Sequence, residues 1–206
     1  MADRFMFVKY VQGQYSFCMK TGAGKYEKRN FEELKTFILG NIISSYQEMK
    51  LESDWKELEK EPDFSDFLVA QMKQNRLFDA LPVNREPKEG LGIERGYGYL
   101  DIKIDIPLSS GRYFAFECKR LDEKEGGNSL QQEYINEGLH RFIAGKYAKE
   151  QDFGGMIGFV VAGKIKNIVL DMKNKVKNYY FVRGYGFLLD RFCDNCLTSF
   201  QSKHER

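Results

Sequence analysis

The sequence contains no run of about 18 apolar residues, so it predicts no membrane-spanning helix. Its opening, MADRFMFVKY, has an early acid and no long apolar stretch, and we expect no signal peptide. The four cysteines make no disulfide framework, and in a chain without export signals we expect reduced thiols and a cytoplasmic protein. Cys193 and Cys196 form a lone CxxC near His204, whereas a structural zinc site normally needs a second ligand pair.

The apolar share of 42% and the aromatic share of 15% are typical of a folded globular chain. A length of 206 residues suits one domain with an extension. We place an N-terminal extension, a hairpin plus helices, at residues 1–60 and the main domain at 61–206. Positive charge gathers in residues 141–183, where nine basic residues face three acids. That segment indicates either a surface for a polyanion or an ordinary solvated face.

The first third of the chain predicts mainly helices. Residues 5–20 alternate loosely and indicate a small hairpin that turns near Gly13. A helix is expected to begin at Asn30, where the capping-box spacing precedes an apolar stripe. Asp63, after the helix-breaking Pro62, can cap another helix.

The last part of the chain adds a helix and two strands. Ser129 has the capping-box spacing and opens the best-marked helix, which Gly154 and Gly155 are expected to follow. Apolar runs at 156–163 and 179–182 predict strands. The order predicts a mixed α/β domain whose helix at 129–149 crosses over to a parallel strand.

The stretch YLDIKIDIPLSSGRYFAFECKRL carries charges on one side of two alternating runs. Asp101, Lys103 and Asp105 alternate with isoleucines in the first run. Glu117 and Lys119 alternate with apolar residues in the second. A sheet with one apolar face and one charged face is commonly a solvated surface, but it can also hold a metal site.

A tight hairpin between the two runs can be drawn in two registers. One places Asp101 opposite Glu117, and the other places it opposite Lys119. In both, Asp105 lies roughly 13 Å further along the strand, near the turn. The hairpin therefore favours Asp101 over Asp105 as the partner of Glu117 and leaves the two registers open.

Two converging carboxylates and a main-chain carbonyl suit Mg²⁺, which takes oxygen ligands and keeps several waters. Asp101, Glu117 and the carbonyl of Cys118 are the predicted metal ligands. Lys119 could position or deprotonate an attacking water and stabilise developing charge. The motif is weak alone, since Glu48 and Lys50 have the same spacing in a helical context. The alternative remains a charged, solvated sheet face.

Residues about 61–163 resemble the PD-(D/E)xK nuclease superfamily, in which an Asp on the second core strand and a Glu-x-Lys on the third build the metal site. Asp101 and Glu117-Cys118-Lys119 match those positions. The resemblance implies a restriction-endonuclease-like fold, a mixed β-sheet core flanked by helices. It also implies a Mg²⁺-dependent deoxyribonuclease, with Mn²⁺ able to substitute, in which Lys119 serves the attacking water. The run EYINEGLHRFIAGKYAKEQDFGGMIGFVV is similar to bacterial members of the superfamily, some linked to phage defence.

Many members of the superfamily carry a further acid on the first core helix, as a second-metal or supporting contact. Asp66 is the best match for that catalytic position, with Asp63 and Glu61 behind it.

On the helix after the motif, Arg141 and Lys146 are the predicted phosphate contacts, with a solvated helix face as the alternative. The expected partner is DNA, together with a second copy of the chain or a defence-system protein, and no membrane.

Two other functions stay open. The fold could have lost catalysis and bind nucleic acid or assemble with proteins. Alternatively, the acidic helices at 31–60 could dock a partner, in which case Asp101 and Glu117 should face solvent far apart.

Overall fold

The computed structural model describes most of the 206-residue chain. The described residues are 5–12, 19–21, 24–26, 28–75, 78–79, 81–85, 88–89, 98–106, 111–123, 129–148, 151, 153–177, 188–193 and 197–203. The strand predicted at 179–182 lies outside them, as do Cys196 and His204 of the CxxC region. No helix within the described ranges is long and apolar enough to cross a bilayer.

The strands, in chain order, are β1 (Phe5–Gln12), β2 (Met19–Thr21), β3 (Gly24–Tyr26), β4 (Val83–Arg85), β5 (Lys88–Glu89), β6 (Gly98–Tyr99), β7 (Ile102–Asp105), β8 (Tyr113–Leu121), β9 (Phe153–Val160), β10 (Leu188–Cys193) and β11 (Leu197–Lys203). Seven of them form one sheet in the order β10-β11-β1-β9-β8-β7-β4. β2 pairs with β3, and β5 pairs with β6, in two small separate sheets.

The helices are α1 (Lys28–Met49), α2 (Glu61–Gln74), α3 (Leu130–Glu133), α4 (His140–Ile143) and α5 (Ile165–Lys177). A 3₁₀ turn lies at Ser53–Glu57, and a π-helical segment lies at Tyr134–Leu139 between α3 and α4. Because α3, the π segment and α4 follow one another without a break, we call residues 130–143 the cover helix.

The four strands that carry the site form a mixed sheet, as predicted. β4 and β8 both run antiparallel to β7, which lies between them, whereas β9 runs parallel to β8. The parallel pair is joined through the cover helix, so the predicted crossover is confirmed. Ser129 begins this helix, because its hydroxyl accepts the amide N–H of Gln132 at 3.3 Å.

Two hydrophobic layers enclose this sheet, because alternate side chains of a strand point to opposite faces. On one face Phe114, Phe116 and Cys118 pack with α1 and α2. On the other face Ala115 and Met156 pack with the cover helix and α5. Both faces of β8 are therefore covered, including the face that carries the motif residues.

Two predicted boundaries shift in the structure. Asp63 caps α2 from inside its first turn, accepting the Lys60 amide N–H at 3.2 Å, because Pro62 is tolerated in a first turn that needs no donor. β9 begins at Phe153 and takes in both glycines expected to precede it. A Cβ at Gly154 would lie 2.4 Å from the Phe142 ring, so glycine there permits close packing of the cover helix.

The N-terminal strand does not form the predicted hairpin with its neighbour in sequence. β1 lies inside the seven-stranded sheet, antiparallel to β9 and parallel to β11. Both partners come from the far end of the chain, and local alternation carries no information about such pairings. The division of the chain at residue 60 stays a prediction, and β1 shares its sheet with the second segment.

Candidate active site

The hairpin register brings Asp101 and Glu117 together. Ile102 pairs with Phe116, and extending that register by one residue places Asp101 across from Glu117. Of the two registers left open by the sequence, the structure has the first. The carboxylate of Asp101 accepts the amide N–H of Cys118 at 2.6 Å, which fixes its Oδ2 against the motif strand.

Glu117 is the most deeply enclosed acid of the site, with only 2% of its surface exposed. Its Oε1 lies 3.3 Å from Lys119 Nζ and 3.3 Å from Arg141 Nη1. Its Oε2 is buried and has no hydrogen-bond partner among the described residues. Burial, and secondarily the charge of Asp101, raise the pKa of Glu117 to about 8. A solvated sheet face would leave this carboxylate exposed and would not raise its pKa in this way. The solvated-surface alternative therefore fails at Glu117.

Asp101 is shielded from solvent as well, although less completely. Burial raises the pKa of Asp101, opposed by the Cys118 amide and by the positive charges of Lys119 and Arg85. The docking alternative predicts that the two acids face solvent far apart. They are instead enclosed on neighbouring strands, and the charge of Asp101 adds to burial in raising the pKa of Glu117.

Lys119 lies between two carboxylates. Its Nζ is 2.6 Å from Glu61 Oε1 and 3.3 Å from Glu117 Oε1, and its side chain is 12% exposed. Burial lowers the pKa of Lys119, but the charges of Glu117 and Glu61 outweigh burial and raise it above its usual range. The lysine is therefore a fixed cation of the site.

The helix acid that reaches this lysine is Glu61, the first residue of α2. Its second oxygen, Oε2, accepts the amide N–H of Arg120 at 3.3 Å, so the carboxylate spans the lysine and the motif strand. From sequence alone Asp66 is the preferred helix acid and Glu61 ranks behind it, but residue type and helix placement do not show which of the two reaches the lysine.

Asp66 lies one turn and a half further along α2 and contacts an arginine. Its Oδ1 is 2.6 Å from Nε of Arg85, the last residue of β4. Nη1 of Arg85 in turn lies 3.3 Å from Oδ1 and 3.3 Å from the main-chain oxygen of Asp101. Asp66 is thus linked to Asp101 by way of Arg85, which donates to both carboxylates. Its catalytic role stays a prediction.

Arg141, a predicted phosphate contact, points into the site from the cover helix. Besides Glu117, it donates to Glu137 at 2.9 Å and to the hydroxyl of Tyr147 at 2.9 Å. The hydroxyl of Tyr147 in turn donates a hydrogen bond to the main-chain oxygen of Tyr99 at 2.9 Å. The guanidinium is held in place by these partners, whereas Lys146 is exposed.

Cys118 fits the predicted role of a main-chain ligand. Its side chain is fully buried on the apolar face, and burial raises the pKa of its thiol, which excludes a thiolate ligand. Because the N–H and C=O of one strand residue point to the same side, the Cys118 carbonyl faces the same edge as its N–H, toward Asp101.

Within the described part of the chain, no group of three or more His, Cys, Asp or Glu side chains is arranged to hold a metal ion. Two carboxylates and one carbonyl remain as donors, a set that suits Mg²⁺ because this ion keeps waters for its other positions. The fit is best at Glu117 Oε2, a buried acceptor that a bound cation would satisfy.

Glu61, Arg85 and Tyr147 are site residues that sequence reasoning ranked low or missed. Glu61 could have been found from its place at a helix start beside the motif strand. Arg85 lies in a turn-rich segment without periodicity, and Tyr147 reads as one more apolar position of a helical stripe. Their roles depend on tertiary contacts over 16 or more residues, such as Arg85 with Asp101.

A scan against protein-family models returns no match, and searches of curated proteins and of solved structures return none either. The chemistry of the site is therefore read from its own residues.

Proposed function

We propose that this chain is a metal-dependent deoxyribonuclease, an endonuclease of restriction-endonuclease-like fold that hydrolyses phosphodiester bonds at Asp101, Glu117 and Lys119. One observation supports this above the others: Glu117 is buried beside a second acid, and its Oε2 finds no hydrogen-bond partner in the part of the chain that the structure describes. A buried, unsatisfied carboxylate oxygen costs stability, and functional sites are where such groups are retained.

Mg²⁺ is the proposed cofactor, with Mn²⁺ as a substitute, held by Asp101, Glu117 and the main-chain carbonyl of Cys118. Such an ion polarises a phosphoryl oxygen and makes a bound water more acidic. Cys118 also contributes its amide N–H, which holds Asp101 Oδ2 in place at 2.6 Å. The same residue therefore orients one ligand and supplies another.

Lys119 acts as a charged donor in this proposal. A lysine that removes a proton from water needs a lowered pKa, whereas the pKa of Lys119 is raised. Its ammonium is suited to orient the attacking water and to stabilise charge that develops on the phosphoryl oxygens. Glu61, at 2.6 Å, keeps the ammonium pointed along the motif strand.

The substrate contacts are proposed for Arg141 and Lys146. The side chain of Arg141 contacts Glu117 and is 28% exposed. The exposed N–H groups of its guanidinium can therefore donate to a phosphate. Lys146 is exposed beyond the end of the cover helix and would add a second positive charge for the phosphate backbone of the substrate. Binding that depends on such contacts weakens steeply as salt rises.

A catalytically inactive binding module is the second candidate. It is favoured by the cations that already accompany both acids, since Arg85 lies near Asp101, and Lys119 and Arg141 lie near Glu117. These cations offset part of the negative charge of the two acids without any metal. This module predicts DNA binding without metal-dependent cleavage.

The test is cleavage of supercoiled plasmid with Mg²⁺, with Mn²⁺ or with EDTA, comparing the wild type with Asp101→Asn and Asp105→Asn. Both variants remove one acid from the same face of β7, but only Asp101 reaches the motif strand. We expect nicking that requires metal, is lost in Asp101→Asn and is retained in Asp105→Asn. A single-stranded RNA substrate in parallel reactions separates DNA from RNA specificity.

Cleavage that survives in Asp101→Asn would show that another group, or a contaminant, cuts the plasmid. DNA binding with intact plasmid under every metal condition would favour the inactive module.

The expected homodimer is tested in the same assay by diluting the protein, because cleavage by a dimer falls faster than protein concentration. A defence-system partner, a role in phage defence and a cytoplasmic location stay predictions of the family resemblance and of the composition.

A further inference from the structure

Arg85, the last residue of β4, lies between an acid of α2 and the acid that precedes β7. Its guanidinium lies between Asp66 on α2, at 2.6 Å, and Asp101 before β7, at 3.3 Å. Its side chain is 14% exposed. Two carboxylates from separate elements therefore point at one cation, an arrangement in which metal ions are often found.

An arginine is a suitable permanent occupant of that position. Its guanidinium stays charged at every accessible pH and offers several donors in a fixed plane. Here Nε serves Asp66, and Nη1 serves both the carboxylate and the main-chain oxygen of Asp101. The main-chain contact fixes the guanidinium to the start of β7 as well as to the side chains.

The charges of the site balance with a single divalent ion. Within the described residues, the ion pairs of the site connect five carboxylates with three cations: Glu61, Asp66, Asp101, Glu117 and Glu137 against Arg85, Lys119 and Arg141. With all of them ionised, two negative charges remain, which one Mg²⁺ neutralises. A second Mg²⁺ would leave two positive charges in a partly buried site, which is costly.

We propose that Arg85 occupies the position in which a second metal ion would bridge Asp66 and Asp101, so that the site binds one divalent cation. This inference rests on the proposed function, because it concerns the metal of that site. Asp66 is then a positioning residue that holds Arg85 and does not ligate metal.

The test counts bound metal instead of turnover. Full-length protein, stripped with EDTA, is titrated with Mn²⁺, and bound ions are counted by the loss of the free Mn²⁺ electron paramagnetic resonance signal. We expect about one Mn²⁺ per chain for the wild type and about two for Arg85→Met, which leaves both carboxylates open to a second ion. Lys103→Met is the matched control, because it removes a cation that pairs with Asp105 outside the site.

Asp66→Asn provides a second measurement in case Arg85→Met folds poorly, which circular dichroism would reveal. We expect Asp66→Asn still to bind about one Mn²⁺ per chain, because the proposed ligands at Asp101 and Glu117 remain, and loss of a supporting contact costs at most about 10–100-fold in affinity. Loss of all detectable Mn²⁺ binding in a folded Asp66→Asn would overturn the inference, since Asp66 would then be a ligand.

Two ions bound to the wild type, or one bound to a folded Arg85→Met, would also overturn it. Absence of Mn²⁺ binding would remove the metal site itself, and with it both this inference and the metal-dependent function. One bound ion without any cleavage would instead support the inference while contradicting the nuclease.

Discussion

The two ends of the β7–β8 hairpin carry the same pattern of charges and have different environments. At the turn end Lys103 and Asp105 pair at 2.8 Å with side chains 25% and 37% exposed. At the other end Lys119 and Glu117 lie 3.3 Å apart with side chains 12% and 3% exposed. The first pair is an ordinary surface ion pair, worth little to stability. The second is enclosed, with Glu61 paired to Lys119 and Arg141 paired to Glu117.

The difference comes from what lies over each end. The cover helix crosses the motif end of β8, and its Gly138 approaches the sheet so closely that an added Cβ would lie 3.8 Å from Glu117 Cγ. The N-terminus of α2 closes the other side through Glu61. A charged face becomes a site when other elements exclude water from it, since charges interact more strongly where water is excluded.

The largest contrast is expected between Lys119→Met and Lys103→Met in plasmid cleavage. Both remove one ammonium from the same sheet, but only Lys119 is held against Glu117 and Glu61. We expect Lys119→Met to lower the cleavage rate by about 10²–10⁴-fold, as for loss of a positioned charge or proton donor. Lys103→Met should stay within about threefold of the wild type. Equal losses in the two variants would mean that the two ends do not differ in function.

An intermediate effect is expected in the pH dependence of stability without metal. The pKa of Glu117 is about 8 in the folded protein against a usual 4.5, so the folded state holds a proton that the unfolded state releases. This contribution is complete below about pH 4.5 and is lost as the pH rises through 8. Between pH 6 and 8 the loss amounts to about 2 kcal/mol, or about 4–8 °C in Tm.

Thermal melts in EDTA at pH 6, 7, 8 and 9 would measure this loss. Glu117→Gln should remove most of it, because glutamine does not titrate, whereas Asp105→Asn at the exposed end should keep the wild-type slope. A parallel slope in Glu117→Gln would show that other groups cause the pH dependence.

The smallest effect on the free energy of unfolding is expected from two glycine substitutions, one in the cover helix and one in α1 as its control. Gly138→Ala places a Cβ 2.2 Å from Met156 Cε, and the flexible methionine can yield at a cost of about 1 kcal/mol. Gly40→Ala lies in α1, where the added Cβ meets no described atom within 4 Å apart from its chain neighbours and the backbone of its own helix, and it should stabilise by about 0.5–1 kcal/mol. Urea denaturation measures both, and stabilisation by Gly138→Ala would contradict close packing of the cover helix.

Local patterns predict much of the site strand by strand. Alternation and turn chemistry indicate the β7–β8 hairpin, and they favour Asp101 over Asp105, as the register confirms. The Ser129 cap predicts where the cover helix begins. These features depend on neighbours in sequence, for which residue type and spacing carry the information.

The remaining features depend on contacts between distant segments. Glu61 and Lys119 are 58 residues apart in sequence, and no local pattern distinguishes Glu61 from Asp66 as the partner of the lysine. The place of β1 beside β9 likewise depends on pairing between the two ends of the chain. The direction of Arg141 depends on the π-helical segment, which residue spacing along an ordinary helix does not reveal.

That π-helical segment changes the direction in which all later side chains of the cover helix point. A π turn holds one residue more than an α turn, and each residue of an α-helix advances the side-chain direction by about 100°. With a regular helix over Tyr134–Leu139, the side chain of Arg141 would rotate away from Glu117 by about that angle. A homologous protein with a regular helix would therefore carry its equivalent of Arg141 one position closer to the Ser129 cap, and an alignment without a gap at this turn would match the wrong residues.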